Sequence, residues 1–162
     1  MPVFTKQSTI NAPASLVFAW HQSADALTRL IPPWEHVVVE QAPASLANGQ
    51  RAILRLSIGP VKLRWIAEHT GFIDRGPDGG EFSDFQVSGP FKSWAHRHSV
   101  TALSPTTCTL TDHIDYQLPL GWLGRAFGGA ITRRKLEKMF AFRHQVTREQ
   151  NETAATSPST TR

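Results

Sequence analysis

In the stretch SWAHRHSV, residues 93–100, an indole and two imidazoles recur at every second position: Trp94, His96 and His98. On a β-strand that spacing puts all three side chains on one face. The stretch TCTLTDHIDYQL, residues 107–118, alternates as strictly. Its apolar set is Cys108, Leu110, Ile114, Tyr116 and Leu118, with Asp112 as the single charged member. If the turn between the two stretches centres near Pro105 and Thr106, partner numbers sum to about 210. His98 then opposes Asp112, His96 opposes Ile114, and Trp94 opposes Tyr116. A slip by two positions would set Asp112 against His96 or Val100 without changing its face.

A buried carboxylate is costly unless paired, and an imidazole is its natural partner. A His98–Asp112 pair reads in three ways: a proton-transferring dyad, a polar anchor for a ligand, or a hydrogen bond that fixes strand register. His96, His98 and Asp112 also carry the donors of a 2-His-1-carboxylate metal set. Trp94, His96 and Tyr116 would line the same interior.

Further candidates are less defined. Asp84 and Gln86 share one strand face and Phe85 and Val87 the other, and the SGPF turn leaves open which pair points inward. Trp65 shares the more apolar side of its strand with Val61 and Leu63, away from Arg64. Trp34 follows IPP, where it either closes a pocket mouth or caps the core. Arg143 lies in the stripe of the last helix with Met139 and Phe140; it either snorkels to the rim or meets a ligand carboxylate. Cys108 is the only cysteine, which excludes an internal disulfide and a cysteine metal cluster and reads as packing.

The elements that must position these residues follow from the chain of 162 residues, enough for one domain with a real core. FTKQSTI reads as a first strand, and NAPASLVFAWHQ opens a helix with Asn11 as N-cap and Pro13 in its first turn. SADALTRL, capped by Ser23, is a second short helix that stops at IPP. Six β-rich segments then run from EHVVVEQ to TCTLTDHIDYQL, divided by ANG, GP, RGPDGG, GPF and SPTT. From about Gly129 the period becomes helical, with Leu136, Met139, Phe140, Arg143 and Val146 on one face up to about Gln150. The prediction is an α+β domain over residues 1–150 and a polar, disordered tail over 151–162. A seven-stranded antiparallel sheet must cover its apolar face, and only the last helix is long enough to do so. The space between them is the expected ligand pocket.

The net charge of +4 is scattered, and the densest basic run, RRKLEK at 133–138, contains Glu137. That pattern reads as a solvated helix face and not as a nucleic-acid site. No apolar run approaches the roughly 20 residues of a membrane span. The N-terminus lacks a charged-then-apolar leader pattern, which predicts a cytoplasmic protein.

Element order and motifs resemble the SRPBCC superfamily: the helix-grip fold of START domains, Bet v 1-like proteins and polyketide cyclase/dehydrase-like proteins. DFQVSGPFKSWAHRHSV, TDHIDYQLPLGWLGRAFGG and LEKMFAFRHQ resemble a bacterial ligand-binding subfamily in which some relatives are joined to a nucleotide-sugar epimerase-like domain. The resemblance covers roughly residues 3–148. It implies a curved seven-stranded sheet around the C-terminal helix, two short helices after the first strand, a small hydrophobic or amphipathic ligand, and neither cofactor nor metal. It also implies association with an epimerase-like protein. Ligand binding is the leading expectation, and a cyclase/dehydrase-type enzyme using His98 and Asp112 is the alternative.

Overall fold

A computed structural model describes residues 1–119 and 121–156. The order is β1 (Val3–Ile10), α1 (Ala14–His21), α2 (Ala26–Arg29), β2 (Val37–Gln41), β3 (Arg51–Ile58), β4 (Val61–Asp74), β5 (Gly79–Ser88), β6 (Ser93–Ser104), β7 (Thr107–Gln117) and α3 (Gly121–Thr156). The seven strands form one open antiparallel sheet in the order β1-β7-β6-β5-β4-β3-β2. Strands β2 to β7 pair in sequence because each short turn returns the chain beside itself. β1 alone arrives from the other end of the chain and closes against β7.

Alternation sorts the strands as expected. Along β7, Cys108, Leu110, Asp112, Ile114 and Tyr116 are all buried, while Thr111, His113 and Asp115 are only partly so. The helix α3 lays a single stripe on this face: Leu136, Phe140, His144, Thr147 and Asn151, each at most 3% exposed. These positions recur at helical spacing.

Two core clusters result. One lies under α1 and joins Ile10, Val17, Phe18, Phe82, Val100, Cys108 and Leu110. The other lies under α3 and joins Phe4, Trp94, Ile114, Tyr116, Leu136 and Phe140, with Trp65, Phe91 and Met139 at its margin. The short helix approaches the sheet at Gly79 and Gly80. A Cβ on Gly80 would meet the Phe18 ring and the Ile73 carbonyl at 2.5 Å, so the close approach requires glycine.

Several boundaries differ from expectation. Helix α3 starts at Gly121, before Gly129, and runs to Thr156, past Gln150. Asn151 is buried and its Nδ2 donates to the Thr147 carbonyl. Glu152 accepts the Asn11 backbone N–H at 2.8 Å, so the first part of the polar tail is docked helix. Composition concealed this, because the buried stripe ends in Thr147 and Asn151. Residues 157–162 of the predicted tail lie outside the described residues. Asn11 is no N-cap: α1 begins after Pro13 without a side-chain cap. Helix α2 starts after Asp25, and Ser23 instead donates its hydroxyl to the Trp20 carbonyl.

Candidate functional site

The hairpin β6–β7 has the expected register. His98 pairs with Asp112, His96 with Ile114 and Trp94 with Tyr116, and the sum of 210 holds from Ser93–Gln117 to Ala102–Cys108. The Asp112 side chain is only 4% exposed, yet it serves three imidazoles. Its Oδ1 accepts from His96 Nε2 at 2.9 Å and faces His98 Nδ1 at 2.7 Å. Its Oδ2 accepts from His144 Nε2 at 2.7 Å. A carboxylate only accepts, so each of these three nitrogens carries a hydrogen; His144 Nδ1 lies 2.9 Å from the Ser8 hydroxyl.

Asp84 closes the other side. The register β5–β6 sets Asp84 against His96 and turns Phe85 and Val87 to solvent, so the Asp84–Gln86 pair points inward. Asp84 Oδ2 lies 3.3 Å from His96 Nδ1 and 3.4 Å from His98 Nε2. Its Oδ1 accepts from Trp94 Nε1 at 3.3 Å. Gln86 is spent on the turn, donating to the Phe91 carbonyl and accepting the Phe91 N–H. His98 stacks on Phe82 with centroids 4.3 Å apart.

Charge and burial compete throughout this belt. Burial alone would raise Asp112, but His98, His144 and His96 hold its carboxyl well below the usual range. Burial likewise opposes ionisation of Asp84, and His96 and His98 overcome it. Burial pushes His98 down, while Asp112 and Asp84 more than reverse this and raise it to about 9. His21, the buried last residue of α1 with its Nδ1 on the Val17 carbonyl, is lowered by burial to about 4. Burial raises the Cys108 thiol to about 11, which leaves it a packing residue.

The remaining predicted residues divide. Trp65, Trp94, Tyr116, Met139 and Phe140 meet in the aromatic cluster under α3, and Trp65 packs edge-on to Trp94 at 5.1 Å. The Trp65 Nε1 is buried there without a hydrogen-bond partner. Arg143 neither reaches the rim nor stays free: its Nε donates to the Leu30 carbonyl and its guanidinium lies 5.1 Å from the Phe140 ring. Trp34 is separate from the site, 40% exposed, edge-on to Phe142 and under the Lys138 ammonium. The middle of the expected pocket is filled by Phe140, Trp94 and His96. A cleft of about 350 Å³ opens instead at the β1–β7 end, lined by Pro2, Val3, Tyr116, Leu118, Gly129, Ala130 and Arg133.

Sequence reasoning missed His144, Ser8 and His21. His144 had a signal, since it stands four residues from Phe140 and eight from Leu136. A stripe traced through apolar residues alone passes over it.

An open antiparallel sheet gripping one long helix defines the class of START-like, SRPBCC proteins, and solved structures agree. A START superfamily protein from Mycobacterium smegmatis superposes with a TM-score of 0.65 at 12% identity, covering 94% of this chain and 98% of that one. The Zhui aromatase/cyclase from Streptomyces sp. R1128 gives 0.62 at 13% identity, with 96% and 99% covered. A nucleoside-diphosphate sugar epimerase from Corynebacterium glutamicum gives 0.66 at 26% identity, covering 90% of this chain but 28% of that one. The chain belongs to the polyketide cyclase/dehydrase and lipid transport family, whose model matches residues 10–140. No curated protein sequence matches it. Among the described residues, no helix is long and apolar enough to cross a membrane.

Proposed function

We propose that the protein binds a small hydrophobic or amphipathic molecule, such as a fatty acid, an aromatic or a polyketide, against the aromatic cluster under α3. The carrying observation is the orphaned Trp65 Nε1: a buried donor without an acceptor is costly, and here it stands among rings. The adjoining cleft shares Tyr116 with that cluster, and its volume is within the range of about 300–1,000 Å³ common for ligand sites. A bound carbonyl or hydroxyl would satisfy the indole while its apolar body covers the rings. The alternative, a cyclase/dehydrase-type enzyme, draws on the similarity to an aromatase/cyclase. In that reading His98 would have to act through Nε2, which lies 3.4 Å from Asp84, since Nδ1 faces Asp112 at 2.7 Å. Association with an epimerase-like protein is proposed on the Corynebacterium likeness, where a matching region forms part of a longer chain.

The test is titration with a fatty acid and with an unsubstituted polycyclic aromatic, followed by tryptophan fluorescence. Both should saturate. Trp65→Phe keeps a ring but removes the donor, so it should weaken the oxygen-bearing ligand about tenfold and leave the hydrocarbon unchanged. No saturable binding of either class below millimolar concentration would overturn the reading.

A further inference from the structure

The sequence pattern grouped His96 and His98 with Asp112 as a metal set, but the fold places Asp112 behind the imidazoles and Asp84 in front of them. Asp112 Oδ1 takes His96 Nε2 and faces His98 Nδ1, so each ring's remaining nitrogen turns towards Asp84. Those nitrogens, His96 Nδ1 and His98 Nε2, stand 3.3 and 3.4 Å from the same atom, Asp84 Oδ2. All three donor atoms lie within 4.8 Å of one another.

We propose that Asp84, His96 and His98 form a binding site for one first-row divalent transition ion, with Zn²⁺ the best match to two imidazoles and a carboxylate. Three observations support it. The 3.3 and 3.4 Å separations are long for charge-assisted N–H···O contacts, which run at about 2.7–2.9 Å. They match the spacing of about 3.3–3.4 Å between donors on one tetrahedral ion with bonds of about 2.0–2.1 Å. Secondly, with Nε2 committed to Asp112, the nitrogen that His96 has left for a ligand is Nδ1, and it is directed at Asp84. Thirdly, every donor is held from behind: both imidazoles by Asp112 and Asp84 by the Trp94 indole N–H. Outer partners of this kind fix ring orientation in metal sites. The His98 and Asp84 side chains keep 13% and 15% exposure, against 3% for His96 and 4% for Asp112, so an ion would enter past His98 and Asp84.

The site is separate from the ligand-binding proposal, since no ring of the Trp65 cluster would ligate the ion and Trp94 hydrogen-bonds the set only at Asp84. Calorimetric titration of the folded protein with Zn²⁺ at pH 7.5 should give one equivalent bound at micromolar affinity or tighter. Co²⁺ should give visible d–d bands with one equivalent. Asp84→Asn and His98→Gln should each weaken Zn²⁺ at least tenfold, and Asp112→Asn about 10–100-fold through loss of orientation. His113→Gln, on the outer face beside Asp115, should change nothing. If the site variants fail to fold, histidine ¹⁵N spectra of the wild type decide: Zn²⁺ should shift His96 Nδ1 and His98 Nε2. Shifts confined to His36 or His113, binding that survives both site variants, or no binding below millimolar Zn²⁺ would each overturn the site.

Discussion

The two core clusters are built from the same sheet and do different work. Under α1, the aliphatic Ile10, Val17, Val100 and Leu110 pack with Phe18 and Phe82, and the helix comes so close that Gly79 and Gly80 replace side chains. Under α3, the contacts are aromatic, one indole donor is left over, and a belt of two carboxylates and three imidazoles runs alongside. Close packing without unpaired polar handles favours one arrangement and excludes ligands. Rings with polar handles, beside ionised groups that stay partnered, retain surface that another molecule can satisfy. On the proposed function, recognition falls at the α3 end and close packing at the other.

The largest test of that division is at Asp112. Asp112→Leu leaves three imidazoles facing an apolar group and should cost about 3–5 kcal/mol in denaturant unfolding. Asp112→Asn keeps shape and one acceptor, so it should cost clearly less. Equal losses would show that the belt is packing and not electrostatics.

Next comes His21, on the α1 side, facing His98, Asp112 and His144. Its folded value of about 4 lies below the ordinary 6.5. The unfolded chain therefore binds the proton more readily, and falling pH favours unfolding. His21 contributes its full stability above pH 6.5, and loses it as pH falls through about 4. The loss is roughly 3 kcal/mol at 1.36 kcal/mol per unit. His98 has the opposite sign and a separate window, contributing below 6.5 and losing its part as pH rises through about 9. A His21→Gln protein should lose less stability than wild type between pH 6.5 and 4. Parallel stability curves over that window would place His21 in contact with water.

The smallest effect is expected at Gly80. Gly80→Ala forces Phe18 or β4 to move and should cost about 1–3 kcal/mol, as overpacking does. Fatty-acid binding by the folded fraction should be unchanged. A parallel fall in affinity would mean that the two ends are coupled and the division does not hold.

Much of this architecture was legible in the chain. The inward face of the β6–β7 hairpin was readable from alternation and its register from centring a tight turn on Pro105 and Thr106, since a slip by two also keeps both apolar sets buried. That alone opposed His98 to Asp112. The strand boundaries followed for the same reason, since turn chemistry is local. Asp84 was readable as a candidate but not as a partner, because the β5–β6 turn through Ser88–Lys92 allows either face inward. The structure chose by seating Gln86 on the Phe91 backbone.

His144 joins Asp112 from a helix 32 positions further along, and Ser8 joins His144 from across 136. No local pattern encodes such contacts; they depend on how α3 is rotated over the sheet. That rotation is set by a stripe that turns from Leu136 and Phe140 to His144, Thr147 and Asn151, polar residues whose burial is stable only against partners supplied by other elements. The sequence by itself determined the strands, the hairpin and its inward face, because those obey neighbour-to-neighbour sterics and turn geometry. Only the tertiary structure decided that Asp112 lies behind the two imidazoles and Asp84 before them, because side-chain direction in a packed interior is set by everything around it at once.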